Sequence, residues 1–292
     1  MENGGSEMTG MSGAGTEKVD KTTTMESRFF TGVGVALVTI FDSAGAVDAA
    51  ATAALAADLA GRGMRAILVA GTTGEAGTLA PDERTALIRA IRDAVQPDVP
   101  VLAGTGAATT EDAVGLTKAA VVAGADAVLA FPPPAPGVDP TAEKARSYSA
   151  SLTDHYGAIG AAADGRPVFA YHVPWISAPG VPVADLPALP IAGIKDSSGS
   201  ADRLLDELAH YQGATYVGSS ALLALAGPMG GAGAILALAN VEPERCCRAF
   251  TGDASVQRDL ADVHLEVRDG GPAALKRMLS RDAGYCDRSR VA

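Results

Sequence analysis

From Phe29 onward, short apolar runs rich in β-forming residues alternate with longer Ala- and Leu-rich segments of helical spacing, and eight such pairs can be counted. Repeated βα units are typical of α/β folds with a parallel sheet. The runs are nearly continuous in apolar residues rather than alternating with polar ones, which indicates strands that are covered on both faces. The pattern therefore predicts a parallel sheet enclosed by helices.

Two architectures fit this pattern: an open doubly wound sheet and a closed eight-stranded barrel. The count of eight strands, spread over about 210 residues, favours the barrel. No G-x-G-x-x-G fingerprint follows the first run, so the main reason to expect a dinucleotide-binding sheet is missing. We predict an α/β fold, a (β/α)8 TIM barrel with a C-terminal helical extension.

The chain divides into three predicted parts. Residues 1–28 are rich in Gly, Ser, Thr, Met and Glu without any apolar period, which predicts a disordered N-terminal tail. Residues 29–249 contain the eight βα units and form the predicted barrel domain. Residues 250–292 contain helical patterns such as "SVQRDLADVHLEV" and "GPAALKRMLS", which predict helices packed after the barrel.

Charge and composition exclude several classes of partner. A net charge of -11 disfavours nucleic acid, whose binding requires clustered Lys and Arg. No apolar run approaches the roughly 20 residues of a membrane-spanning helix, so we expect no membrane partner. The start lacks the basic stretch followed by an apolar block that export requires, so we expect a cytoplasmic location. Cys246, Cys247 and Cys286 lack the paired spacing of a zinc site, and we expect reduced structural thiols, no metal and no cofactor.

Several side chains that could take part in catalysis lie at the predicted strand ends. Barrels of this kind place their active sites at the C-terminal ends of the strands. Thr72 and Thr73 follow the second strand, Tyr171 lies on the fifth, and Lys195 ends the sixth. The chain has only six lysines, and Lys195 is the one that ends a predicted strand. An amine, a phenol and two hydroxyls are therefore expected on one rim.

This set of groups favours Schiff-base chemistry. A lysine in a mostly apolar pocket loses the solvation of its charged form, so a neutral amine becomes available to attack a carbonyl carbon. A tyrosine hydroxyl beside the resulting imine can carry protons, and Thr73 or Thr72 can hold that hydroxyl or a relay water. The backbone amides of the tight "GTTGE" turn form a concavity suited to a carboxylate. A 2-oxo acid supplies both the carbonyl and the carboxylate.

Each residue also has a structural interpretation. A strand-end lysine is usually solvated, Tyr171 alone could be a core aromatic, and "GTTGE" alone could be an ordinary turn. Glycine-rich turns after the seventh and eighth strands could bind phosphate, but the absence of Lys and Arg between Arg203 and Arg245 favours close packing. We interpret the histidines as surface or packing residues (His155, His210 and His264), or as directed away from the site (His172).

Four motifs occur in the order and at about the separations found in one known family: "GTTGE", "YHVP", "GIKDSSG" and "GGAGAILALANVEP". Over roughly residues 30 to 292 the chain resembles the dihydrodipicolinate synthase and N-acetylneuraminate lyase family. The resemblance implies a (β/α)8 barrel with C-terminal helices, usually assembled as a tetramer. It also implies a class I lyase that acts through a pyruvate-type Schiff base.

The resemblance also implies roles for individual residues. Lys195 matches the Schiff-base lysine, Tyr171 the acid–base tyrosine, and Thr72 and Thr73 the pair that binds the carboxylate and relays protons. Ile235 matches the position whose backbone carbonyl lies near that tyrosine. Gly71 and Gly233, inside the matching motifs, are expected to help bind the substrate.

The chain departs from the synthases of this family at positions that affect the substrate. Those that condense pyruvate with aspartate semialdehyde resemble "Y-N-V-P-x-R-T", whereas "YHVPWIS" has Ile176 in place of the arginine. They also have paired tyrosines after strand four, where this chain has Pro133 and Pro134, and neither proline can relay a proton. Trp175 and Ile176 indicate a less polar rim, so Trp175, Ile176 and Pro134 are the predicted specificity positions.

The leading hypothesis is therefore a class I lyase or aldolase that uses a 2-oxo acid such as pyruvate, with deoxy sugar acid dehydration as a related reaction. One alternative is 4-hydroxy-tetrahydrodipicolinate synthase itself. Another is a barrel that binds a small acid without turning it over. In each case the expected partner is a small molecule, and the resemblance implies a homo-oligomer, either a tetramer or a dimer.

Overall fold

The computed structural model of the chain describes Met1, residues 29–135, Gly137 and residues 142–291. The predicted disordered tail, apart from Met1, lies outside these described residues. Within them, no helix combines the length and the apolar character needed to cross a membrane.

Eight parallel strands in the described residues form one closed barrel. Each strand pairs with the next strand along the chain, and β1 also pairs with β8 to close the sheet. The strands are β1 (Gly32–Ala36), β2 (Ile67–Val69), β3 (Val101–Gly104), β4 (Ala127–Ala130), β5 (Val168–His172), β6 (Gly193–Asp196), β7 (Ala214–Val217) and β8 (Gly233–Leu236). The predicted (β/α)8 barrel is confirmed.

Helices follow most of the strands and cover the outside of the barrel. They are α1 (Ala49–Gly61), α2 (Pro81–Ala94), α3 (Thr110–Ala123), α4 (Ala142–Ala162), α5 (Ala201–His210), α6 (Leu223–Ala226), α7 (Pro243–Phe250), α8 (Ala254–Asp259) and α9 (Ala261–Ala283). Only a short 3₁₀ helix, Val183–Ala188, connects β5 to β6, as the proline-rich sequence there predicts. Helices α8 and α9 form the predicted C-terminal extension.

Local sequence explains where several helices begin and end. Helix α2 starts at Pro81, whose missing N–H costs nothing at that position, and Glu83 accepts a hydrogen bond from the Ala80 amide at 2.9 Å. Thr109 caps α3 by accepting a hydrogen bond from the Asp112 amide at 3.1 Å. Gly124 ends α3 in the left-handed conformation that favours glycine.

Aromatic rings fill the N-terminal end of the barrel. The ring of Phe30, just before β1, stacks on Tyr216 with 4.4 Å between centroids, and the Tyr216 hydroxyl donates to the Phe30 carbonyl at 2.8 Å. Phe169 contacts Tyr216 edge-on and also packs against Phe29. Because this end is closed by apolar packing, polar groups inside the barrel can be accommodated only at the C-terminal end.

A charged cluster is buried between α5 and the barrel. The Glu207 carboxylate is fully buried, and its Oε1 lies 2.9 Å from Nη2 of Arg203. Asp196, on β6, lies 3.6 Å from the same guanidinium. Burial, together with the negative charge of Asp196, raises the pKa of Glu207 from 4.5 to about 8. The folded state therefore favours the protonated form of Glu207 at neutral pH.

This raised pKa predicts a pH-dependent stability. As the pH rises from 4.5 to about 8, the unfolded chain ionises Glu207 while the native state keeps the proton, so the free energy of unfolding should decrease. Glu207→Gln removes this titration, and its unfolding free energy should depend less steeply on pH than that of the wild type. Urea denaturation across this range measures both slopes. Asp202→Asn, an exposed change on α5, should keep the wild-type slope, and a Glu207→Gln slope equal to the wild type would contradict the prediction.

Candidate active site

Strand register places Tyr171 and Lys195 side by side. They are Cα partners in the parallel β5–β6 pair, so their side chains leave the sheet on the same face. That face is the barrel interior, since Phe169 and Tyr171 belong to the inner apolar cluster whereas the alternating Ala170 belongs to the outer core. Lys195 is only 4% exposed, and its Nζ lies 4.5 Å from the centroid of the Tyr171 ring. The amine is therefore held inside the barrel against the phenol.

The Tyr171 hydroxyl is surrounded by hydrogen-bonding groups. Ser197 Oγ lies 3.4 Å from it, and the Thr72 and Lys195 side chains are close enough to influence its pKa. Burial by itself would raise the pKa of Tyr171, but the positive charge of Lys195 and the hydrogen bonds from Ser197 and Thr72 outweigh burial and lower the pKa. A phenol of lowered pKa exchanges protons more readily at neutral pH.

Gly218, just after β7, provides the space that Lys195 occupies. A Cβ atom at this position would lie 2.0 Å from Ser197 Oγ and 3.1 Å from Lys195 Cε. Any larger residue would displace one of these side chains. Close packing, rather than phosphate binding, thus accounts for this glycine-rich turn.

The "GTTGE" turn after β2 has an unusual backbone. Ala70, just before the turn, and Glu75, its last residue, both have positive φ, at 51° and 57°. This conformation costs energy for residues other than glycine. Between them, the amides of Thr72 and Thr73 donate to no acceptor in the described residues. Two adjacent free amides with hydroxyl side chains are suited to binding a carboxylate.

The buried carboxylate of Glu75 anchors this turn. It pairs with Lys276 of α9, and both side chains are fully buried. It also accepts hydrogen bonds from the backbone amides of Arg290 at 2.6 Å and Val291 at 2.9 Å, and from Ser289 Oγ at 3.0 Å. The turn is therefore fastened to α9 and to the last residues described.

A cavity of about 310 Å³ opens beside Lys195 and Tyr171. It is formed by strand ends β2, β5, β6, β7 and β8 together with one side of α9. The residues that line it are Thr72, Thr73, Tyr171, Trp175, Lys195, Ser197, Gly218, Ser219, Ser220, Ala237, Leu238, His264, Val267, Arg268, Gly271, Pro272 and Leu275. The four residues with predicted chemical roles, Lys195, Tyr171, Thr72 and Thr73, are thus brought together.

A second cavity, of about 430 Å³, lies next to the first and shares Thr72 and Tyr171 with it. Gly71 and Ile176 line this second cavity, together with Val291. The two predicted specificity residues on the "YHVPWIS" segment are therefore separated. Trp175, which is 65% exposed, lines the cavity beside Lys195, whereas Ile176 does not.

Three predicted site residues lie outside both cavities. Pro134 is exposed in the connection after β4. Ile235 is buried in β8, where it pairs with Gly34. Gly233 lies further down the barrel, and a Cβ there would come within 3.1 Å of the Tyr216 ring. Gly233 therefore makes room for the aromatic packing.

Sequence reasoning missed part of the site. Ser197 is two residues beyond Lys195, so strand alternation was a usable signal for it. His264 was interpreted as a surface or packing residue, but it lines the cavity and its Nδ1 lies 2.7 Å from Ser220 Oγ. Arg268 lines the same cavity one turn further along α9. Neither had a signal in the sequence, because their position depends on how α9 docks.

The described residues show no arrangement typical of a metal centre. No group of three His, Cys, Asp or Glu side chains among them is suited to hold an ion. Cys246, Cys247 and Cys286 are all free thiols. His172 lies outside both cavities, and its Nδ1 accepts a hydrogen bond from the Val181 amide at 3.0 Å.

Comparisons with known proteins agree with this geometry. A model of the dihydrodipicolinate synthetase family matches residues 29–264. The 4-hydroxy-tetrahydrodipicolinate synthase of Salinibacter ruber is 36% identical over 248 residues, or 82% of this chain and 78% of the relative. An uncharacterised DapA-like lyase of Halobacterium salinarum is 34% identical over 255 residues, or 84% and 79%.

Solved structures give the same result. The structure of chloride-inhibited dihydrodipicolinate synthase from Acinetobacter baumannii complexed with pyruvate aligns with a TM-score of 0.77 at 29% identity, covering 90% of this chain and 94% of that one. The fold and these relatives define a barrel enzyme with lyase-type activity. The chain belongs to the dihydrodipicolinate synthetase family. The non-catalytic alternative is not supported.

The Glu75 anchor gives a prediction about stability. Glu75→Gln keeps the shape of the side chain but leaves the Lys276 charge buried and unpaired, so the free energy of unfolding should fall by about 3 kcal/mol. Glu83→Gln also breaks an ion pair, with Arg290, but this pair is partly exposed and the loss should be at most about 1 kcal/mol. Urea denaturation measures both. Equal losses in the two variants would contradict the anchoring role of Glu75.

Proposed function

We propose that the chain forms a Schiff base between Lys195 and pyruvate or another 2-oxo acid, and uses it to make or cleave a carbon–carbon bond or to dehydrate a deoxy sugar acid. The observation that carries this proposal is a lysine amine, 4% exposed, held 4.5 Å from the ring centroid of a hydrogen-bonded tyrosine. Burial beside a proton carrier is the arrangement that imine chemistry requires.

The first step joins the amine to the carbonyl carbon. The neutral amine form of Lys195 attacks C2 of the oxo acid through Nζ. The nitrogen loses a proton and the carbonyl oxygen gains one, which gives a carbinolamine, and loss of one water leaves the imine. Tyr171 is the group positioned to deliver that proton, and its lowered pKa makes the phenol a stronger proton donor. Ser197, whose Oγ lies 3.4 Å from the phenol oxygen, and the nearby Thr72 keep the hydroxyl directed into the cavity.

The imine then withdraws electrons from the neighbouring carbon. In the condensing direction, loss of a proton from that carbon gives an enamine, which attacks an aldehyde carbon; cleavage is the reverse. Hydrolysis of the final imine frees Lys195. We assign the oxo acid's carboxylate to the free amides and hydroxyls of Thr72 and Thr73.

The identity of the substrate is argued from one relative and from one substituted position. A relative's structure was determined with pyruvate, which favours pyruvate as the oxo acid here. Ile176 provides no charge where the family's synthases have an arginine, so this position gives no support to the synthase reaction with aspartate semialdehyde. The predicted homo-oligomer and cytoplasmic location remain predictions from the sequence and the family.

Imine trapping tests the proposed function directly. Incubation with pyruvate and sodium borohydride should attach one reduced pyruvate to the wild-type chain, and peptide mass spectrometry should locate it on Lys195. Lys195→Arg should not be labelled, because a guanidinium does not form the imine, whereas Lys118→Arg, on the exposed side of α3, should be labelled like the wild type. Label at another lysine, or none in the wild type, would refute the proposal.

The role of Tyr171 can be separated from that of Lys195. Tyr171→Phe keeps the ring against the amine but removes the proton carrier, so borohydride labelling with pyruvate should persist while turnover of an accepted substrate falls roughly 10²- to 10⁴-fold. A misfolded variant would lose labelling and turnover together, whereas loss of the proton carrier should lower kcat and leave labelling in place. Wild-type kcat in this variant would show that Tyr171 does not carry the proton.

A further inference from the structure

One side of α9 faces the catalytic cavity. His264, Arg268, Gly271 and Leu275 are spaced three or four residues apart, and Val267 lies beside Arg268, so the five residues form one side of the helix. All five line the cavity that contains Lys195. Gly271 has non-helical backbone angles and Pro272 follows it, so the helix bends where it crosses the cavity. A substrate attached to Lys195 therefore has α9 as its far wall.

The charge of this cavity is opposite to that of the chain. The protein has 34 acidic residues and a net charge of -11, yet no Asp or Glu in the described part of the chain lines this cavity. Besides Lys195 and Tyr171, its ionisable lining residues are His264 and Arg268. The local field thus favours an anionic ligand.

Arg268 has donors available for such a ligand. Its side chain is 60% exposed, and Nε and Nη2 lie 2.7 and 3.2 Å from the carboxylate of the neighbouring Asp269. An exposed pair of this kind is weak, and Nη1 has no acceptor in the described residues. Since a guanidinium has five N–H donors in a planar fork, a ligand oxyanion can be bound alongside or in place of Asp269.

His264 contributes a second donor next to Arg268. Its Nδ1 lies 2.7 Å from Ser220 Oγ. When the Ser220 hydroxyl donates to Nδ1, the neutral ring carries its proton on Nε2, which has no other acceptor in the described structure. The Ser220 contact fixes the ring at the cavity wall.

We propose that Arg268, supported by His264, recognises an oxyanion, either a carboxylate or a phosphate, at the end of the substrate distal to its reacting carbonyl. This inference rests on the proposed Schiff base at Lys195. The cavity of about 310 Å³ corresponds to roughly ten waters at about 30 Å³ each, which is more than a three-carbon acid fills. Because Thr72 and Thr73 are assigned to the carboxylate next to the carbonyl, Arg268 remains for a second anionic group.

Paired probes test this site. Borohydride trapping is measured against concentration for 2-oxopentanoate and 2-oxoglutarate, which have the same chain length but differ in a terminal carboxylate. The wild type should be half-saturated at a roughly tenfold lower concentration of 2-oxoglutarate, as one added charge-assisted contact implies. 2-Oxo-4-phosphonobutanoate, which replaces that carboxylate by a phosphonate, should show the same kind of preference, and the larger preference identifies the natural anion.

Variants assign the preference to Arg268. The measured ratio is the half-saturating concentration of 2-oxopentanoate divided by that of 2-oxoglutarate. In Arg268→Ala this ratio should fall to near one. In Arg268→Lys it should be intermediate, because the charge remains but the planar guanidinium is lost. Arg277→Ala, an exposed arginine on α9 that does not line the cavity, should keep the wild-type ratio. Circular dichroism confirms that each variant is folded, and the ratio is independent of the amount of active protein.

The outcomes separate the two levels of the proposal. If no 2-oxo acid, including pyruvate, is trapped on the wild type, the proposed function is wrong. If pyruvate and 2-oxopentanoate are trapped but neither charged acid is preferred, or if Arg268→Ala keeps the preference, only the anion site is wrong. A preference that Arg268→Ala abolishes and Arg277→Ala retains supports it.

Discussion

The closure of eight short parallel strands is the constraint on which the rest of the structure depends. In a closed barrel every inward side chain must be accommodated by other inward side chains. Phe30, Phe169 and Tyr216 fill the N-terminal end with stacked rings. The next inward position on β5 after Phe169 is Tyr171, and the register pairs it with Lys195. Burial of the amine beside the phenol thus follows from strand alternation and pairing.

The C-terminal segment completes what the barrel begins. Lys276 and the last described residues fasten Glu75, and through it the turn that carries Thr72 and Thr73. The half of α9 that precedes Gly271 lines the cavity beside Lys195. One helix, bent at Gly271, therefore supports the turn with one half and forms a wall of the cavity with the other. This explains why a short barrel loop with an unfavourable backbone stays in place.

Sequence was informative where chemistry depends on position along a strand. Lys195, Tyr171, Thr72 and Thr73 could be grouped because the C-terminal ends of all parallel strands meet at one rim. The starts of α2 and α3 have local signals in Pro81 and Thr109, because capping depends only on neighbouring residues. These signals need no knowledge of how distant elements pack.

Sequence was uninformative where function depends on docking between distant elements. The spacing of His264 and Arg268 predicts that they share one face of a helix. It does not predict which face of that helix packs against the barrel. Trp175 and Ile176 are adjacent in sequence yet line different cavities, and Trp175 shares its cavity with His264 and Arg268. Gly233 lies beside an aromatic ring rather than in the cavity, because strand register decides its depth in the barrel.

The most direct measurement of the central claim is a crystal structure of the protein soaked in pyruvate. The account predicts continuous electron density from the Lys195 side chain to the second carbon of pyruvate, with the carboxylate at the amides of Thr72 and Thr73 and the Tyr171 hydroxyl next to the new bond. Pyruvate bound elsewhere, or a Lys195 side chain turned out of the barrel into solvent, would contradict it.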